Sequence, residues 1–222
     1  KYPLIIRYSP FTVFSNKNTI FDINKLKEAV LYSSIYHDWV YKQSTTLGAS
    51  TINFGIVECF ETFPFPQDID NAIKLRVENL GDNYHLCREN LLLSLKIGLT
   101  KIYNAFHSPI FNPRTIDHSL QSSDEQQIKN QYGKEAANLF KLLKNSDSDF
   151  SFMDAINEIH KLREIQIKLD KTVLKAYGWD DINLNHDFYD VHYLPENDRI
   201  RFTIDPDARK DILKRLLELN HK

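Results

Sequence analysis

The chain has 222 residues, a net charge of −2 and 42 % hydrophobic residues. This is enough apolar material for one globular domain or two small ones, without the basic balance that is typical of a free-standing nucleic-acid binder. No apolar run is long enough for a membrane-spanning helix, and Cys59 and Cys87 are too few for a disulfide framework or a zinc cluster, which favours buried thiols in the reducing cytoplasm. Because the sequence begins with Lys1 rather than Met, we expect a piece of a longer protein.

Residues 1–67 are predicted to form a small mixed α/β unit. Short strands are predicted at 4–13, interrupted at Pro10, and at 19–23 and 51–57. One helix is predicted over 24–43, with Asn24 as its N-cap, because apolar residues recur there at roughly helical spacing. Within this helix we expect Trp39 to lie in the core and His37 to lie at the polar rim.

Residues 59–67 read Cys-Phe-Glu-Thr-Phe-Pro-Phe-Pro-Gln, and we call them the Phe-Pro strap. Each proline fixes its own φ and keeps the preceding residue out of the α region, so the strap is predicted to run extended and stiff. Its phenyl rings need an apolar surface, and we expect them to dock on the helical part that follows. The structural residues of the strap are Phe60, Phe63, Pro64, Phe65 and Pro66.

After Pro66 the composition changes, and residues 68–222 are predicted to be a mainly helical domain with one β-hairpin. Helices are predicted over 68–107 (two, or one bent at Gly81), 125–144, 152–177 and 206–220. Gly178 suits the end of the third of these regions, and Asp205 with Pro206 suits the start of the last. The hairpin is predicted to pair 189–193 with 199–204, and Trp179 is expected to fold back on the helix before it. The fold class is therefore α+β and predominantly helical.

Four blocks of the sequence carry a resemblance to a known family. They are Ser-Ser-Ile-Tyr-His-Asp-Trp-Val at 33–40 with the strap, Gly-Leu-Thr-Lys-Ile-Tyr-Asn-Ala-Phe-His at 98–107, Leu-Asp at 169–170 with Ala-Tyr-Gly-Trp-Asp-Asp at 176–181, and Arg-Phe-Thr-Ile at 201–204 with 215–221. In this order they resemble the target-recognition region of large bacterial adenine-specific DNA methyltransferases. That family includes the fused type IIG and MmeI-like restriction-modification enzymes.

The resemblance implies the end of a DNA target-recognition domain over 1–67 and a helical C-terminal domain over 68–222. Both would follow an N-terminal catalytic domain that uses S-adenosylmethionine to methylate adenine N6 in double-stranded DNA. The chain itself contains neither a glycine-rich cofactor turn nor an Asn-Pro-Pro-Tyr-like loop that grips a flipped base. We therefore predict no catalytic residue and no cofactor site within it.

Polar side chains near loop tips of the first part are the predicted DNA contacts. Lysine and hydroxyl groups suit phosphates, while Asn and Gln can read adenine edges in the major groove. The predicted residues are Arg7, Lys17, Lys42, Gln43, Ser44, Thr45, Thr46, Ser50 and Asn53.

Two other functions stay open. A helical interaction module of a phage-defence assembly would bind a protein without touching DNA, and an exposed apolar helix face would favour it. A metal hydrolase would use His186, Asp190 and His192, whose alternation could offer three ligands on one face of a strand. The surrounding loop residues favour a solvated segment entering the hairpin, with no metal bound.

Overall fold

The computed structural model describes residues 5–7, 20–47, 51–113, 116, 125–146, 150–192, 194, 196 and 199–221. Within these ranges the fold is predominantly helical α+β, as predicted. The α-helices are α1 (Lys25–Leu31), α2 (Ser34–Gln43), α3 (Asn71–Leu95), α4 (Leu99–Phe106), α5 (Glu125–Asn145), α6 (Phe152–Ala176) and α7 (Pro206–Asn220). The strands are β1 (Thr45–Leu47), β2 (Thr51–Asn53), β3 (Asp187–Asp190) and β4 (Ile200–Thr203), and β1–β2 and β3–β4 are antiparallel hairpins.

The single helix predicted over 24–43 is in fact two helices. Asn24 caps the first as predicted, because its side chain accepts the backbone N–H of Lys27 at 2.9 Å. Ser33 then ends α1 and begins α2: its hydroxyl donates to the carbonyl of Val30 at 2.6 Å and accepts the N–H of Tyr36 at 3.3 Å. A serine side chain that competes for backbone groups breaks a helix without disturbing its apolar spacing.

Gly81 marks a close approach of two helices rather than the bend that was one of the two predictions. Helix α3 continues through this position, and a Cβ built there would lie 2.4 Å from the Cβ of Ala29 in α1. The break between α3 and α4 falls later, where Lys96 takes a left-handed φ of 50° before Gly98 begins α4. The missing methyl group at position 81 therefore sets how closely α1 packs on α3.

The ends of α6 and α7 follow the predicted chemistry. Ser151 and Asp154 form a reciprocal capping box at the start of α6, and Gly178 lies just beyond its end with φ 72°. Asp205 accepts the N–H groups of Asp207 and Ala208, so it caps α7 as predicted. Helix α5 covers the predicted region but is interrupted at Gly133, whose φ and ψ are not helical.

The strands differ from the predictions at their ends. The C-terminal hairpin pairs Phe188 with Phe202 and begins before the predicted first strand. Strand β2 stops at Asn53, so the strand predicted over 51–57 is too long. Residues 20–23 form no strand, and most of the strand predicted over 4–13 lies outside the described residues.

The Phe-Pro strap is only partly extended, so the prediction for its first residues is wrong. Val57–Glu61 form a π-helical turn, and regular structure is absent from 63 to 67. A proline restricts only the residue before it, so the positions ahead of Phe63 are free to coil. Phe63 itself is 3 % exposed and meets Trp39 and Tyr36 edge-on, with ring centroids 5.9 and 5.0 Å away.

Helix α6 lies at the centre of the fold. It packs most extensively on α3 and also contacts α2, α4 and α5, while α1 packs on α3 and α2 packs on α7. One buried apolar cluster includes Trp39 and Cys59 from the first part and Ile156 and Leu216 from the second. The division at residue 67 stays a prediction, and it separates elements that share this core. No helix in the described ranges is long and apolar enough to cross a membrane.

Candidate functional site

A cavity of about 50 Å³ lies where α2, α3, α4, α6, α7 and β4 meet. Its wall combines aromatic rings with several charged and polar side chains. The described residues that line it include His37, Asp38, His107, Arg201, Thr203 and Arg209. We call this the polar cavity.

One side of the polar cavity is fixed by a buried ion pair. Asp38 in α2 lies 3.0 Å from Nε of Arg209 in the first turn of α7, and both side chains are largely buried. Separating such a pair would leave two buried charges without compensation, which is strongly unfavourable. The pair disfavours any arrangement in which its two elements move apart. The pair therefore joins α2 to α7.

A second carboxylate, that of Asp170 in α6, lies just behind the wall. It is fully buried, and its Oδ1 accepts the backbone N–H of Ser34 and the amide of Gln166, both at 2.8 Å. Its Oδ2 lies 2.7 Å from Nε2 of His186. Since Ser34 is the first residue of α2, the carboxylate satisfies an otherwise unpaired helix-end donor and lies at the positive end of the helix dipole.

Two imidazole rings complete the titratable part of the wall. Burial lowers the pKa of His37 to about 4. Burial also lowers the pKa of His107 well below its usual range, and the charge of Arg201 lowers it further. The lowered pKa values keep both rings neutral at pH 7, and the ring of His107 is hydrogen-bonded to the backbone of Phe202. As predicted for a polar rim residue, His37 is partly exposed between buried neighbours, and its ring lines the cavity.

Arg163 in α6 positions the segment that carries His107. Its guanidinium donates to the backbone carbonyls of Ala105, Phe106, Ser108 and Phe111 at 2.5 to 3.0 Å. The carbonyls at the C-terminal end of α4 have no partner within the helix. One buried side chain thus satisfies them and ties the end of α4 to the central helix.

The sequence blocks that carry the family resemblance meet at this site. Blocks 33–40, 98–107 and 201–204 supply most of the wall, and Asp170 from the third block holds the start of α2. Sequence reasoning weighed their polar residues one at a time and missed the cavity. The available signal was a polar stripe on one side of α2, opposite the apolar Ile35, Trp39 and Val40. The stripe consists of Ser34, His37, Asp38 and Tyr41.

The predicted DNA contacts lie elsewhere. Lys42 is exposed in the last turn of α2, followed by Gln43 and by Ser44 as its C-cap. Asn53 in β2 is paired with Thr45 in β1, and its side-chain amide donates to the hydroxyl of Thr45 at 3.2 Å. We call Lys42, Thr45 and Asn53 the polar tip, since all three are exposed.

The other predicted DNA contacts are not part of this tip in the described structure. The guanidinium of Arg7 lies 2.8 Å from Glu28 and 2.8 Å from Asp82, so it joins the end of the described N-terminal segment to α1 and α3. Lys17, Ser50 and the side chain of Thr46 lie outside the described residues.

The three proposed metal ligands do not come together. His186 is bonded to Asp170 and its side chain is 2 % exposed, whereas Asp190 and His192 form an exposed pair with 3.5 Å between Oδ1 and Nδ1. Among the described residues, no group of three or more His, Cys, Asp or Glu side chains is arranged to hold a metal ion. The prediction of a solvated segment is correct for His192 but wrong for His186.

The chain matches no protein-family model, no curated protein and no solved structure. Its own residues and their geometry are therefore the basis for a functional assignment.

Proposed function

We propose that this chain is a DNA-recognition and scaffolding region of an adenine-specific DNA methyltransferase from a restriction-modification system. By the family resemblance, a separate N-terminal catalytic domain would bind S-adenosylmethionine and methylate adenine N6. The present chain would hold double-stranded DNA against that domain. The alternative function is a helical module that binds another protein without touching DNA.

The observation that carries this proposal is that α2 is fixed in place by contacts along its length. Its first residue is bonded to Asp170, its middle is held by Arg209 on one side and by Phe63 on the other, and its far end carries the polar tip. Recognition groups work best on rigid elements, because a fixed geometry lowers the entropic cost of binding. A lysine, a hydroxyl and an amide at such a position suit phosphate and base-edge contacts.

The test measures binding of the chain to short fluorescent DNA duplexes, with fluorescence anisotropy as the readout at several salt concentrations. We expect a dissociation constant of about 10⁻⁴–10⁻⁶ M and a steep loss of affinity with salt. Lys42→Glu should weaken binding to every sequence alike, because a phosphate contact carries no sequence information. Asn53→Ala should change the preference among sequences more than the mean affinity.

Lys129→Glu is the matched control, since Lys129 is an exposed lysine on α5 and the charge change is the same. If Lys42→Glu and Lys129→Glu weaken binding equally, the loss is a net-charge effect and the polar tip is not the contact. Binding that does not depend on salt would also contradict the proposal.

A protein-interaction module is the second candidate, because α3 exposes three leucines. Leu75, Leu86 and Leu93 are 58, 52 and 64 % exposed. At about 100° per residue, their spacing brings all three to the same side of the helix. If DNA binding is absent while Leu86→Glu abolishes association of the chain with a co-expressed partner, this second function replaces the first.

A further inference from the structure

We propose that a row of three exposed lysines on α6 is a second contact for the phosphate backbone of double-stranded DNA. Residues 165–176 all belong to the described part of α6, and within them only Lys168, Lys171 and Lys175 are exposed. We call these three residues the lysine face. The inference rests on the proposed DNA-binding function, and it adds to the polar tip a contact that carries no sequence information.

The three lysines share one side of α6. Their spacings of three and four residues place them within about 60° of one another around the helix axis. At the rise of an α-helix, the row is about 10.5 Å long, with steps of about 4.5 and 6 Å. One strand of B-DNA carries a phosphate about every 3.4 Å of the duplex axis, so a duplex lying along α6 would present about three phosphates to the row.

The positive charge of the lysine face is not neutralised within the described structure. None of the three ammonium groups has a carboxylate partner there, whereas Lys161, earlier on α6, lies 3.2 Å from Glu158. The one carboxylate among residues 165–176 belongs to Asp170, which is fully buried and hydrogen-bonded inside the core. A phosphate would therefore meet three cations without having to displace a carboxylate.

The helix dipole does not account for the whole row. A cation in the last turn of a helix is favoured by the partial negative charge of the unpaired carbonyls, and this explains Lys175. That effect falls off within the last turn, whereas Lys168 and Lys171 lie more than one turn before the helix ends at Ala176. Their position on the same side as Lys175 favours a repeating anionic partner.

The opposite side of α6 holds the row in place. Leu169 and Val173 are fully buried, and α6 packs more extensively on α3 than on any other described element. A contact row on a rigid helix lowers the entropic cost of binding. Lysine is a flexible point charge rather than a planar fork, so three lysines in line match the successive phosphates of a duplex better than one small anion.

The first experiment measures duplex binding by the whole chain at several salt concentrations. The triple variant combines Lys168→Gln, Lys171→Gln and Lys175→Gln. It should lower the slope of log affinity against log salt by about 2–3, because each lost phosphate contact removes about 0.9 from that slope. The loss should be the same for duplexes of different sequence.

The matched control makes the same change of net charge on α5. It combines Lys129→Gln, Lys141→Gln and Lys144→Gln, all at exposed lysines. We expect this control to lower the slope by less than about 1, because a charge without a phosphate contact releases no counterion on binding. All six substitutions are at exposed positions, so both triple variants should keep the fold of the wild type.

The second experiment locates the contact directly. The whole chain is acetylated at its lysines with and without a duplex, and the modified sites are identified by mass spectrometry. A bound duplex should slow acetylation of the lysine face and leave Lys129 reactive. Protection of Lys42 in the same samples reports on the polar tip.

The outcomes separate this inference from the function on which it rests. If the duplex protects Lys42 but not the lysine face, or if the α6 variant keeps the wild-type salt slope, the second contact is wrong and the polar tip stands. Equal losses of slope in the α5 and α6 variants would reduce the effect to net charge and would also overturn the second contact. If the wild type shows no salt-dependent binding to any duplex, both proposals fail.

Discussion

The two sides of α2 pack against opposite kinds of neighbour. Tyr36 and Trp39 lie against the ring of Phe63 from the Phe-Pro strap, while Ser34 and Asp38 face Asp170 and Arg209. The apolar side stabilises by burying area, which tolerates some change of shape. The polar side depends on each group keeping its partner, because a buried polar group without one is costly. The apolar side of α2 should therefore tolerate substitutions that keep the buried area, whereas the polar side should not tolerate the loss of any partner. We call them the tolerant side and the strict side.

Asp170→Ala tests the strict side and should have one of the two largest effects. It removes the acceptor of the Ser34 N–H, the partner of the His186 ring and one of the two acceptors of the Gln166 amide. We expect a loss of about 3–5 kcal/mol in the free energy of unfolding. Urea unfolding measures it. Asp190→Ala is the control, since it removes an aspartate–histidine pair that is exposed, and it should cost less than about 1 kcal/mol. Equal losses of unfolding free energy in the two variants would show that burial does not determine the contribution of such a pair to stability.

Phe63→Ala tests the tolerant side. The ring is nearly fully buried, and truncation should cost about 3–5 kcal/mol. Phe63→Leu keeps most of the buried area and should recover more than half of that loss. The strap should also loosen in the alanine variant, so limited proteolysis near residue 67 should be faster than in the wild type. The same cleavage rate in all three proteins would mean that the strap does not organise this junction.

Trp179→Ala probes the edge of the strap, where α6 ends. Trp179 is partly exposed, stacked on Tyr177 with 4.5 Å between ring centroids, and covered by the guanidinium of Arg215. We therefore expect about 1–2 kcal/mol from the lost stacking and partial burial. Tyr177→Phe, which removes the hydroxyl bond to the carbonyl of Pro64 and keeps the ring, should cost about 1 kcal/mol. If the order of these two losses is reversed, the bond to the strap matters more than the stacked rings.

The last prediction concerns acid. Because burial lowers the pKa of His37 to about 4, the unfolded chain takes up a proton at this residue before the folded chain does. Stability should therefore fall as the pH is lowered from about 6.5 to about 4, and His37→Gln should reduce that fall. Urea unfolding at pH 7 and pH 5 gives the comparison. His192→Gln, at an exposed ring, should keep the wild-type slope, and a slope that is unchanged in both variants would contradict the assignment.

Local chemistry made α6 and α7 predictable. The periodic stripe of α6 with Gly178, and the Asp205–Pro206 start of α7, are signals that the backbone obeys without help from distant residues. The sequence did not predict the break at Ser33, because the break depends on the hydrogen bonds of a single hydroxyl. It did not predict the π-helical turn of the strap, because a proline restricts only the residue directly before it and leaves earlier residues free to coil.

The polar cavity was beyond sequence reasoning for a different reason. Its wall joins His37, His107 and Arg201, which are far apart along the chain, and each of them taken alone has an ordinary explanation. Only the packing of α2 and α4 around α6 brings them together. The DNA contacts stay predictions, and the structure supplies their setting: an exposed tip on a firmly mounted helix.

The close approach of α1 and α3 bears on how distant relatives of this chain would be recognised. A Cβ at position 81 would lie 2.4 Å from the Cβ of Ala29 and 2.9 Å from its Cα, so glycine in place of Ala29 would not make room for it. Glycine at this position of α3 is therefore expected in every related sequence that keeps the same spacing of α1 and α3, whichever small residue it carries on α1.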